Sequence, residues 1–132
     1  MISRRTARAF AGVAALVVLL ASCGGGSGGS DAGYKEPKGA SIATLTIDAG
    51  NFYFKPNALD ASAGINTIKL VSDGGLHTLV FDKGKVPGFQ LEVAGSGDTQ
   101  SLKVDLKPGK YVFYCDIPTH RQQGMEGTIT VK

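Results

Sequence analysis

Tryptophan is absent from this chain, and histidine, cysteine and methionine occur only twice each. The start residue is one of the methionines, which leaves Met125 as the only other. No stretch shows the three-to-four-residue apolar period of an amphipathic helix. The longest apolar run, Ala9 to Leu20, falls short of the ~20 residues a membrane-spanning helix needs. There are no His-rich or Met-rich tracts and no internal repeat. An excess of one charge sign is missing as well. Three of the fourteen basic residues precede Cys23, and all eleven acidic residues follow it. The chain after Cys23 is therefore formally neutral, and the sequence pI of 8.9 reflects the leading segment. That balance excludes a nucleic-acid-binding surface built on net charge. No nucleophile–base pair, carboxylate pair or open catalytic metal position stands out, so an enzyme is not expected.

What is present begins with an export signal. Arg4, Arg5 and Arg8 form a basic head, Ala9 to Leu20 an apolar middle, and Leu20-Ala21-Ser22-Cys23 a small-residue cleavage site. Residues 1–22 thus read as a signal peptide. The site ends in Cys and resembles the lipobox of bacterial lipoproteins, which implies a diacylated Cys23 at the mature N-terminus and a membrane anchor outside the cytoplasm. Ser3-Arg4-Arg5 supplies only the start of a twin-arginine signal, and an ordinary secretory signal with a chance Cys is the plainer alternative. Residues 24–33, GGGSGGSDAG, cannot build a core and read as a flexible tether. With the polar lead-in through Gly39, residues 23–39 are assigned to the linker and residues 40–132 to the folded domain.

Within 40–132 the pattern has period two. Ala43, Leu45 and Ile47 alternate with threonines; Ile68 and Leu70 with Thr67 and Lys69; Leu102, Val104 and Leu106 with Lys103 and Asp105. His77, Leu79 and Phe81 share a face, as do Tyr111, Phe113 and Cys115, and Ile129 and Val131 close the chain. Turn signals separate the runs at Asp73-Gly74-Gly75, Val86-Pro87-Gly88, Gly95-Ser96-Gly97 and Pro108-Gly109. About seven or eight short strands of this kind predict an all-β antiparallel sandwich. Lys83 to Asp98 shows no clear period and is expected to hold loops and at most a short helix.

The chemistry gathers in YCDIPTHRQQGMEGTITV, where Cys115, His120 and Met125 stand five residues apart. A thiolate, an imidazole and a thioether are soft ligands suited to copper, and two His with one Cys and a weak axial Met mark an electron-transfer centre. The second imidazole can only be His77. Each residue alone has a plainer role: a free Cys in a strand is usually core, and a lone His is usually structural. Met125, between Gly124 and Glu126, sits poorly as core. Zinc is the competing metal, but Met is a poor zinc ligand and structural zinc sites favour four Cys or His. A Cys23–Cys115 disulfide is the other use of the two cysteines, and the lipobox claims one of them.

These residues resemble those of the cupredoxins, the type 1 blue-copper family that includes plastocyanins, azurins, auracyanins and pseudoazurins. The resemblance runs over residues 42–132. Phe52-Tyr53-Phe54-Lys55-Pro56 with Leu59 and Ala63-Gly64 is similar to the early strands, Gly75-Leu76-His77-Thr78 to the first-histidine segment, and Tyr114-Cys115 through Met125-Glu126-Gly127 to the ligand loop. It implies a Greek-key sandwich and one type 1 copper held by His77, Cys115, His120 and Met125. It also implies a monomer that exchanges single electrons with redox protein partners. Thr78 stands where many members have Asn, and Asp116 where many have Ser or Thr; both adjoin the ligands and would tune potential and rigidity. By the same resemblance electrons pass through His120 at the surface, with Ile117 and Pro118 beside it and Leu76 and Val86 as further apolar candidates. Arg121 reads as a solvated charge or as a steering charge for an acidic partner. A copper-delivery or tolerance protein, and a partner-binding sandwich without copper, are the alternative functions.

Overall fold

Alternating inward and outward side chains resolve into nine strands in the computed structural model, which describes residues 33–132. The strands are β1 Ala43–Gly50, β2 Tyr53–Lys55, β3 Ala58–Ala61, β4 Gly64–Ser72, β5 Leu76–Phe81, β6 Gln90–Ala94, β7 Thr99–Leu106, β8 Gly109–Tyr114 and β9 Glu126–Val131. They form two sheets, ordered β2-β1-β4-β7 and β3-β9-β8-β5-β6. The expected sandwich is present, and its inner faces carry the residues the alternation picks out. Ile47, Ile68, Leu70, Leu79, Leu106, Phe113 and Ile129 are all fully buried. The segments expected to be a signal peptide, a lipidated Cys23 and most of the linker lie outside the described residues.

Two pairings are parallel rather than antiparallel: β1 with β4, and β3 with β9. Alternation marks a strand but carries no information about its direction. Between β1 and β4 the chain turns back through β2 and crosses to the other sheet in β3, so β4 re-enters running the same way as β1. The span Lys83 to Asp98 holds β6, in which Leu91 and Val93 are buried and Glu92 is exposed. Five residues flanked by turns are too few for that period to stand out. Before it lies only one 3-10 turn, Asp82–Gly84.

The lead-in is part of the packed body. The Tyr34 ring meets Phe89 edge-on at 5.2 Å, and its hydroxyl donates to the Lys103 carbonyl. Glu36 accepts from the Lys103 amide. Packing therefore starts at Tyr34, ahead of the boundary expected at residue 40.

Gly127 holds the two strands next to the ligand loop in close contact. A Cβ there would lie 2.3 Å from Cζ of Phe113 and 2.7 Å from the Asn57 carbonyl. Phe113 is fully buried and cannot retreat. Gly127→Ala should therefore destabilise the fold by about 2 kcal/mol through overpacking. Thermal unfolding of the metal-free protein checks this; an unchanged melting temperature would show that the strands can part at no cost.

Candidate metal centre

Three elements deliver the donor atoms, and register places them. β5 brings His77 and Thr78 at its start. β8 pairs antiparallel with β5 through Val80–Tyr114 and Phe81–Phe113. Continuing that register past the end of β8 sets Cys115 and Asp116 opposite Leu79 and Thr78. The loop that follows folds back through short-range backbone bonds: His120 N–H to Ile117 O, Gln123 N–H to His120 O, and Gly124 N–H to Arg121 O. Two further bonds close it onto the strand ends, Met125 N–H to His120 O and Cys115 N–H to Met125 O, both 3.1 Å.

The result is a compact donor cluster. One nitrogen of His77, one nitrogen of His120 and Sγ of Cys115 lie within 4.8 Å of one another. Sγ stands 3.5 Å from Nδ1 of His120. The two imidazole rings are 5.4 Å apart, centroid to centroid. Cys115 and His77 are fully buried, and His120 is partly exposed. Met125, expected to sit poorly in the core, is fully buried: lying just before β9, it is drawn inward by its backbone bonds to Cys115 and His120.

His77 shows how the site is prepared. Its Nε2 lies 2.8 Å from the Gly74 carbonyl. A carbonyl can only accept, so Nε2 carries the proton, and in the neutral ring Nδ1 keeps a free lone pair. That Nδ1 is buried and has no hydrogen-bond partner among the described residues. Gly75 makes the approach possible: at φ +85° it suits glycine, and a Cβ there would crowd Asn51 Oδ1 and His77 Nε2 at 3.2 and 3.3 Å. Burial holds the His77 pKa below the ordinary histidine value, the Gly74 hydrogen bond opposes the shift, and nearby His120 adds to it. An unpartnered buried nitrogen with a lone pair, a thiol and a second imidazole are what a soft or borderline metal ion requires.

A family profile described as copper binding proteins, plastocyanin/azurin family, matches residues 42–132. The chain belongs to that family. Copper is accordingly the cofactor of this cupredoxin, and the donor set found here fits it. The chain is 34% identical over 101 residues to a plastocyanin of Nostoc punctiforme, covering 67% of this chain and 70% of that protein. It is 37% identical over 98 residues to a plastocyanin of Dryopteris crassirhizoma, covering 64% and 93%. In fold it is similar to reduced auracyanin of the photosynthetic bacterium Roseiflexus castenholzii, with a TM-score of 0.58, 22% identity and coverage of 71% and 99%.

Thr78 and Asp116, the two departures from the common cupredoxin pattern, meet each other. The Thr78 hydroxyl donates to Asp116 Oδ1 at 2.6 Å, and the Asp116 amide donates back to Thr78 Oγ1 at 3.0 Å. Together they tie β5 to the ligand loop. Arg121 is neither free nor simply solvated. It pairs with Asp82 Oδ2 at 3.0 Å and with Glu126, and its guanidinium lies 4.0 Å over the Tyr114 ring. This clamp holds Asp82 below the usual carboxylate range. Of the apolar residues expected beside His120, Ile117 is partly exposed, Pro118 is exposed and Leu76 is 49% exposed. Val86 instead lines a depression with Val80, Phe89 and Tyr114. Phe52, expected only as part of the early strands, also belongs to the site: its ring meets His120 edge-on at 4.8 Å. It sits in the turn between β1 and β2, where no periodicity points to it.

The His77 shift sets a pH dependence for the metal-free cupredoxin. With the folded pKa below the ordinary 6.5, the unfolded chain takes up a proton that the folded chain refuses, so stability rises with pH in that window. This contribution should be intact above pH 6.5 and fade as the pH falls from there towards the folded pKa. Chemical denaturation of apo wild type and His77→Phe across pH 5–7.5 reads it. An equal pH slope in both would show that His77 ionises freely in the fold.

Proposed function

We propose that this protein carries single electrons between redox protein partners outside the cytoplasm, as a lipid-anchored monomer. His77, Cys115 and His120 would hold its copper, with Met125 as a weaker fourth donor. The observation that carries this reading is the His77 ring, whose buried Nδ1 has no hydrogen-bond partner among the described residues and which contributes a nitrogen to the cluster with the Cys115 thiol and His120. Bound copper supplies a site that accepts and returns one electron.

The protein's own part is to hold the donors still and to limit contact with water. His77 is fixed by Gly74, Cys115 by the strand end, and His120 by the turns of its loop. Donors that are already in place need little rearrangement when the charge at the site changes. The Cys115 sulfur is buried, which shields the thiolate from oxidation. His120 is the ligand nearest solvent; the Phe52 ring packs on it and Ile117 is joined to it by a backbone bond, which gives it an apolar setting against which a partner can pack. Full burial of Cys115 and Met125 also speaks against handover of the metal, which favours electron carriage over copper delivery.

Purified protein loaded with one Cu(II) should show an intense thiolate-to-copper absorption in the red part of the visible spectrum, and Cys115→Ser should abolish it. Met125→Leu should keep copper and colour while raising the midpoint potential, because a donor to Cu(II) is lost. His77→Ala should lose copper on dialysis. A colourless one-to-one complex, or colour that survives His77→Ala while Met125→Leu loses its metal, would contradict these roles.

The anchor has its own check. Full-length protein expressed in a bacterial host should partition with membranes and detergent, and Cys23→Ala should release it or block its processing. One acyl chain anchors only marginally, so retention requires the multiple acylation that a lipobox implies. Recovery of unmodified wild type as a soluble exported protein would sink the anchor.

A further inference from the structure

The Thr78 hydroxyl has one proton and two acceptors within reach. Asp116 Oδ1 lies 2.6 Å from Thr78 Oγ1, and Sγ of Cys115 lies 3.5 Å away. The shorter bond ends on a carboxylate oxygen and is by far the stronger. The proton therefore points at Asp116 and not at the sulfur. Among the described residues only one N–H donor then remains for Sγ, the Thr78 amide at 3.4 Å. The His120 nitrogen at 3.5 Å is itself a candidate metal donor and brings no proton.

We propose that Asp116 is a positioning residue: it turns the Thr78 hydroxyl away from the Cys115 sulfur and so keeps the copper site's midpoint potential low. This inference rests on the copper-ligand reading above. Hydrogen bonds around the Cys sulfur tune the potential of such centres. A donor to the sulfur draws off electron density, weakens its donation to Cu(II) and favours the reduced state. Withholding a donor acts in the opposite sense.

The geometry also says what happens when the carboxylate is removed. Thr78 Oγ1 is held independently by the Asp116 backbone N–H at 3.0 Å. Thr78 is 3% exposed, so water has little access to its hydroxyl. Without the carboxylate the oxygen stays in place, and its freed proton has Sγ as the nearest remaining acceptor. Asp116 itself is exposed, and its substitution leaves the core intact.

Charge and hydrogen bonding are separable here. Asp116→Asn removes the negative charge but keeps an oxygen that accepts the hydroxyl. Asp116→Ala removes both. With Cu(II) bound, Asp116→Asn should raise the midpoint potential through charge alone and leave the thiolate-to-copper band in place. Asp116→Ala should raise the potential further and move the band to higher energy. Adding Thr78→Val to Asp116→Ala should return the band to its wild-type position, since no hydroxyl is left to donate. Thr78→Val alone should leave the band where it is.

Equal potentials and bands for the Asn and Ala variants would overturn the inference, as would a band shift that survives Thr78→Val. Should the double variant fail to fold, the Asn–Ala comparison in the Thr78 background still decides. A wild type that shows the band while the variants do not split defeats only this inference. A wild type without the band defeats the electron-carrier reading and this inference with it.

Discussion

The hydrogen bond from His77 Nε2 to the Gly74 carbonyl is the constraint on which the site depends. It fixes the ring, selects the tautomer and leaves a buried Nδ1 with no partner among the described residues, on a ring that shares a donor cluster with the Cys115 thiol and His120. A buried polar atom left unpaired costs about 1–3 kcal/mol. The sandwich tolerates that cost because two inner faces of Ile, Leu, Val and Phe are fully covered. Metal binding removes it, which couples the metal's affinity to the stability of the fold. Gly75 and the Asp73–Gly75 turn are therefore functional through their backbone: they set where the carbonyl points and how closely the chain approaches the ring.

Around that constraint, bonds from the second histidine's loop complete the frame. Thr78 and Asp116 link β5 to the ligand loop, and Arg121 links the same loop to Asp82 and Glu126. The two side chains answer each other, a hydroxyl on one side and a carboxylate on the other. Exposed ion pairs contribute little stability singly, but Arg121 also stacks on Tyr114, so its role is to hold the loop's position.

The fold and the donor set were legible because two rules left little choice. Alternation at His77-Leu79-Phe81 and Tyr111-Phe113-Cys115 put both donors on inner faces, as the structure places them. The scarcity of His left only His77 to complete the cluster. Strand direction was hidden because β1 beside β4 reads the same in either sense, and β6 was too short to show a period. Arg121 and Phe52 were illegible for another reason. Their roles depend on partners at Asp82, Tyr114 and His120 that the chain brings together only in three dimensions. Burial of Met125 follows from its loop's backbone bonds, which its glycine and glutamate neighbours do not announce.

The fold sets the ligand geometry before copper arrives, and the nitrogen chemical shifts of His77 in the metal-free protein, followed by NMR from pH 7.5 downward, read this out. A neutral ring with its proton on Nε2 and a bare Nδ1, persisting below pH 6.5, is the expected result. A ring protonated on Nδ1, or an imidazolium already present near pH 7, would contradict it.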